Sequence, residues 1–196
     1  MDTILELDKH LLIWLNSFHA DWLDPIVLQA TQTVFWSPLY LLLIYVIFKN
    51  FGNEGWFVML GIGLTILLAD QITSSVLKPL FQRLRPSHDP SLQGIIHLVA
   101  NSKGEVYKGG LYGFASSHAA NSFGLATYLW MLFKSRNQKV ILLFVWAAAL
   151  SYTRIYLGVH FPLDIIAGAA IGVISSWSGF KFYLWASRRW NPSMQE

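Results

Sequence analysis

Cysteine is absent from the 196-residue chain, which excludes a disulfide framework and any thiolate metal site. Charge is scarce as well: Asp, Glu, Lys and Arg make up 13% of residues against 54% apolar. Soluble domains carry roughly 25% charge, so this balance excludes an ordinary soluble domain and points to an integral membrane protein. The net charge of +3 is scattered along the chain, leaving no basic stripe and no nucleic-acid partner to expect. The start, Met-Asp-Thr-Ile-Leu-Glu, has no basic n-region, so no cleavable signal peptide is expected. Repeats and low-complexity tracts are lacking too, and the length suits a single domain over residues 1–196.

Long apolar segments fill most of what remains. Residues 4–18 mix Asp8, Lys9, His10 and Asn16 with Leu11, Leu12, Ile13 and Trp14, which predicts an interfacial amphipathic helix. The apolar run Phe35–Phe48 reaches only about 21 Å of a roughly 30 Å bilayer core. It must borrow from Pro25–Val34, through a kink at Ser37-Pro38 or a separate short helix. Further spans are expected at Trp56–Val76, Ser116–Phe133, Val140–Leu157 and Pro162–Leu184. The predicted fold is therefore an all-α bundle of five to six transmembrane helices with an N-terminal interfacial helix, residues 1–34 making up an interfacial or first-span region. Asp70, inside a span, is expected to hydrogen bond within the bundle. Gly168, Gly172 and Ser175 suit close helix packing. A long polar connection, residues 78–115, is expected to be functional.

Three polar clusters break the apolar pattern. In Thr153-Arg154-Ile155-Tyr156-Leu157-Gly158-Val159-His160-Phe161-Pro162-Leu163-Asp164, Gly158 suits the end of one helix and Pro162 the first turn of the next. The turn would present His160, and Asp164, four residues on, would pin its tautomer. Arg154 offers a permanently charged fork for phosphate. Each residue also has a plainer reading: an interfacial anchor for His160, a topology charge for Arg154, a helix-start acid for Asp164. The second cluster is Lys78 with Arg85-Pro86, and the third is Ala115-Ser116-Ser117-His118, where Ser116 can cap a helix whose free amides face an anion.

Alternation of the spans puts all three clusters on one side of the bilayer. On the other fall Lys49, Lys134, Arg136, Lys139, Lys181, Arg188 and Arg189, so the positive-inside rule turns the clusters away from the cytoplasm. Together they form a socket for a phosphoryl group. His160 could attack phosphorus while His118 protonates the departing oxygen. Lys78, Arg85 and Arg154 would meet the charge on the equatorial oxygens, so no metal or other cofactor is required. His10 and His19 read as interfacial and His88 and His97 as loop residues, His97 alone being a candidate for touching substrate.

The set Lys78-x6-Arg85-Pro86, Ser116-Ser117-His118 and Arg154-x5-His160-x3-Asp164 resembles the three-part signature of the type 2 phosphatidic acid phosphatase superfamily, which joins membrane lipid phosphatases to soluble vanadium haloperoxidases. The resemblance implies phosphate binding by Lys78, Arg85, Ser116, Ser117 and Arg154, acid catalysis by His118, and nucleophilic attack by His160 supported by Asp164. Ala115 and Ser117 replace the usual proline and glycine of the middle motif, and Thr153 a commoner serine. Ser117 still offers its backbone amide, so only a small local change is expected. By family analogy the activity is metal-independent hydrolysis of a lipid phosphate or diphosphate through a phosphohistidine, outside the cytoplasm at a bacterial inner membrane. Undecaprenyl diphosphate is the first candidate, with phosphatidic acid, phosphatidylglycerol phosphate and lipid A phosphates as rivals. The spans speak against a haloperoxidase. A non-catalytic lipid-phosphate binder or transporter would need neither histidine nor Asp164.

Overall fold

The computed structural model describes residues 2–101 and 103–190, and among them every regular element is helical. Helices α1 (Asp2–Asn16) and α2 (Asp24–Ala30) come first, and at 1.5 Å per residue neither crosses a 30 Å core. The expected interfacial helix is α1. Its Asp8, Leu12 and Asn16, spaced by four, are buried, while Ile4, Leu7, Leu11 and Trp14 are exposed.

Helix α3 (Ser37–Phe51) opens at its proline and is preceded by a 3-10 turn, Thr33–Trp36. The turn supplies the missing length: four residues at about 2.0 Å and fifteen at about 1.5 Å give about 30 Å. Ser37-Pro38 thus starts a helix and does not kink one, since proline is tolerated in the first turn. The separate short helix among residues 25–34 is α2. Helix α4 (Gly55–Asp70) runs on through a π-helical stretch, Gln71–Leu77, into α5 (Lys78–Phe81). Helices α6 (Ser117–Phe133), α7 (Leu142–Tyr156) and α8 (Pro162–Trp190) complete the bundle. The last continues six residues beyond the expected Leu184.

Three helical stretches, Thr33–Phe81 with its break at Gly52–Glu54, Gln138–Tyr156 and Pro162–Trp190, are long and apolar enough to cross a membrane. Their outer faces carry exposed Leu41, Tyr45, Leu60, Val145, Ile174 and Trp177, an arrangement suited to lipid and not to water. The bundle has two chemically different ends. At one, Phe51 packs on Phe133 and Tyr183 with the Arg136 guanidinium over its ring. At the other lie the end of α5, the starts of α6 and α8, and the end of α7, which carry the three polar clusters.

Helices α4, α6 and α8 are held together by glycine. A Cβ on Gly172 of α8 would fall on the Ala120 carbonyl oxygen and lie 2.8 Å from the Gly124 amide nitrogen of α6. One on Gly168 would strike the Ser116 carbonyl, and one on Gly179 the Gly61 carbonyl of α4. The obstacles are backbone atoms, so the helices could not yield without separating. Gly172→Ala should therefore cost about 1–3 kcal/mol by overpacking. Gly63→Ala, with nothing near its new methyl, should gain about 0.5–1 kcal/mol. Thermal unfolding of the two variants in detergent checks the contrast.

Candidate active site

The site grows from the turn between α7 and α8. Gly158 adopts φ +65°, and the Val159 and His160 amides donate to the Arg154 carbonyl at 3.0 and 3.3 Å, closing α7. Pro162 opens α8 in its first turn. Asp164, three residues after Phe161, reaches back to accept the Phe161 amide at 3.0 Å, the carboxylate half of a capping box. The same oxygen lies 3.3 Å from His160 Nδ1. Capping the helix and holding the imidazole are thus one act. Both residues are buried, Asp164 completely.

Ser116 caps α6, its Oγ accepting the Ala119 amide at 3.5 Å; the residue is fully buried. Its backbone amide donates to the Asp164 carbonyl at 3.0 Å, which ties the start of α6 to the start of α8. His118, in the first turn of α6, lies within electrostatic reach of Arg154 and His160 and against the Thr31 backbone.

The Ser117 substitution does more than expected. Its Oγ accepts from Lys78 Nζ at 2.9 Å and from Thr73 Oγ1 at 3.0 Å, and pairs with Ser74 Oγ at 2.9 Å. These partners come from the π-helical stretch and the residue just after it, where the widened turn swings them toward α6. Asp70 accepts from Ser74 at 3.2 Å, in keeping with its expected bundle role.

Arg85 is fixed by the Tyr112 carbonyl at 3.1 Å and approaches the Val159 carbonyl at 3.5 Å. Arg154 donates to Thr31 Oγ1 and, at 3.1 Å, to Tyr107 OH, while its buried Nε has no partner. Lys78, Arg85 and Arg154 thus hold only neutral groups, and among the described residues none of the three has a carboxylate within salt-bridge distance. They repel one another: burial and then the Arg154 charge push the Arg85 pKa down. Burial, followed by Arg85, Arg154 and Lys78, holds the His160 imidazole well below its ordinary value of 6.5. Like charges gathered around a neutral imidazole make an arrangement that can accept an anion.

Beside His118 opens a cavity of about 340 Å³, lined by Asn121, Ile62, Ile47, Leu129 and Trp146. It is largely apolar and extends between the helices, so it can hold hydrocarbon.

His97 lies outside the socket, where its Nε2 meets Asp24 at 3.0 Å and its ring stacks on His19. His10 is exposed, and His88 carries a buried Nε2 without a partner. Two residues the sequence does not single out are central. Arg83 donates to Asp164 Oδ1 at 2.9 Å and to Asp8 Oδ2 at 2.6 Å. Only the proximity of Arg83 to Arg85 hinted at the first, and the odd acid on an interfacial helix at the second.

Residues 56–188 match the PAP2 superfamily. Similar chains include a lipid A 4'-phosphatase of Bacteroides thetaiotaomicron, 39% identical over 181 residues that cover 90% of this chain and 77% of the relative. Another, from Porphyromonas gingivalis, is 34% identical over 193 residues, covering 97% and 78%. The crystal structure of Aquifex aeolicus LpxE superposes with a TM-score of 0.62 at 26% identity, over 89% of this chain and 95% of that one.

An oxyanion should relieve the repulsion and so stabilise the fold. At 100 times its Kd, inorganic phosphate or vanadate should add about 2.7 kcal/mol, seen as a raised Tm in detergent. Arg85→Met and Arg154→Met should lose most of that gain.

Proposed function

The chain belongs to the PAP2 superfamily and is an integral membrane enzyme that hydrolyses phosphate esters of lipids, and on that premise we propose that it works by metal-independent phosphoryl transfer through a phosphohistidine at His160. The observation that carries this reading is the convergence of Lys78, Arg85 and Arg154, without carboxylate partners among the described residues, around a buried imidazole held by Asp164. With Nδ1 turned to Asp164, Nε2 is the ring nitrogen assigned as nucleophile.

In the first step Nε2 forms a bond to phosphorus and the phosphorus–oxygen bond to the lipid breaks, His118 giving a proton to the departing oxygen. In the second, water attacks the phosphohistidine, returns a proton to His118 and frees inorganic phosphate. The three cations and the amides at the start of α6 meet the charge on the equatorial oxygens. Ser117 orients Lys78, and Ser116 holds the helix end in place. The apolar cavity beside His118 takes a hydrocarbon chain of the substrate, which favours a lipid over a soluble phosphoester. The basic residues gathered at the opposite end of the bundle support an active site outside the cytoplasm.

Within this class we assign the substrate as a phosphomonoester on a lipid A-type glycolipid, because the two lipid A 4'-phosphatases align over nearly the whole chain. Undecaprenyl diphosphate is the second reading, favoured by the surplus of positive charge that three cations leave over a dianionic monoester.

Phosphate release by the detergent-purified protein, with chelator present, tests both levels. Lipid A, undecaprenyl diphosphate and phosphatidic acid are compared in parallel. His160→Ala should abolish turnover and the acid-labile phosphoenzyme, and His118→Ala should slow turnover by about 10²–10⁴-fold. The highest kcat/KM among the lipids names the substrate. No turnover on any lipid, with phosphate still bound, would make the protein a lipid-phosphate binder. Because His160 is held below 6.5, it stays neutral as the pH falls through that value. The acid limb of kcat/KM, which reports the free enzyme, should therefore lie below pH 6.5.

A further inference from the structure

Arg83 stands outside the phosphate socket yet touches the carboxylate behind the nucleophile. Its guanidinium spans two carboxylates, with Nη1 on Asp164 Oδ1 at 2.9 Å and Nη2 on Asp8 Oδ2 at 2.6 Å. Its face lies 4.0 Å over the Phe161 ring, and its backbone carbonyl accepts the Gly113 amide at 2.8 Å. Asp8 is equally committed, since its Oδ1 accepts the Leu163 amide at 2.9 Å from the first turn of α8. Its side chain is 1% exposed and that of Arg83 20%. Burial pushes the Asp8 pKa up, and Arg83 and the Leu163 amide oppose that rise.

On the reading that His160 is the nucleophile, we infer that Arg83, gripped by Asp8 of the interfacial helix, is a positioning residue that fixes the Asp164 carboxylate for His160. The two oxygens of Asp164 divide the work: Oδ1 belongs to Arg83, leaving Oδ2 to His160 Nδ1 and the Phe161 amide. A carboxylate held at both oxygens cannot rotate, so the imidazole keeps its Nδ1–H tautomer and its aim. Asp8 in turn holds Arg83 away from the phosphate socket, where a fourth free cation would compete for the anion. Lysine could not substitute, because only a planar fork meets two carboxylates and stacks on an aromatic ring at once. Helix α1, which does not cross the bilayer, thereby becomes part of the active site.

The test pairs kinetics with a readout that does not depend on turnover. The wild-type chain, R83Q, R83K and D8N are compared in detergent by phosphate release and by 15N NMR of the histidine rings. Outer contacts of this kind are commonly worth about 10–100-fold. R83Q should therefore lower kcat by about that factor with KM changed less than about threefold, and should lose the Nδ1–H signature of His160. R83K should not rescue it. D8N should lose less, and the double variant should resemble R83Q alone, as members of one network do. R83A should recover activity with added guanidinium ion but not with sodium chloride of equal ionic strength.

Variants that keep wild-type kcat and an unchanged His160 signal would overturn the inference and leave Arg83 as a dock for α1. A raised KM at constant kcat would overturn it too, making Arg83 a phosphate ligand. If R83Q does not fold, the same readings on R83K and D8N decide. If the wild type hydrolyses no lipid while the tautomer still collapses in R83Q, the positioning stands and the phosphatase reading falls.

Discussion

A fully buried carboxylate beside a bilayer is tolerated only when donors surround it, and the donors that surround Asp164 organise this molecule. One of them, the Phe161 amide, makes it the cap that starts α8. A second, His160, makes it the partner of a buried imidazole. The third, Arg83, links it to Asp8 and hence to helix α1. Its own backbone carbonyl accepts the Ser116 amide, so the start of α6 is fastened to the same residue. Helix geometry, the orientation of the His160 ring and the docking of the N-terminal helix are one hydrogen-bonded system.

The rest of the bundle resists what that system does not. Three cations facing one space push apart, and only rigid surroundings keep them converging. Rigidity comes from the glycines of α4, α6 and α8, which bring backbones so close that no side chain separates them. The π-helical stretch before Lys78 adds a second adjustment, turning Thr73 and Ser74 onto Ser117 and setting the ammonium against α6. The three cations are thus strained electrostatically and braced sterically.

The division of the molecule along its long axis follows from the same economy of charge. Lys78, Arg85 and Arg154 stand at one end, where the connection between α5 and α6 reaches the same residues through Arg85, Tyr107 and Gly113. Lys49, Lys134, Arg136, Lys139, Lys181, Arg188 and Arg189 belong to the other end, where Arg136 lies over Phe51 beside Phe133 and Tyr183. Between them the surface is apolar, and so is the cavity that leads away from His118. The polar clusters and the apolar cavity occupy separate parts of one bundle.

Much of this is legible in the chain itself. Apolar length, the scarcity of charge, Gly158 and Pro162 on either side of His160, and the cap at Ser116 are local properties. They depend on backbone preference and on residues a few positions apart, so the sequence by itself determined the helical membrane class, the turn and the residues brought to it. Tertiary structure alone decided the partners of those residues. Arg83 meets Asp8 and Asp164 across 75 and 81 positions, and Ser117 meets Lys78 across 39; no period or motif encodes such a pairing. The break between α2 and α3 was open for a related reason, because proline permits both a kink and a helix start and only packing chooses between them. Long-range contacts form after the helices have places to stand, and those places are set by which glycines let two backbones touch.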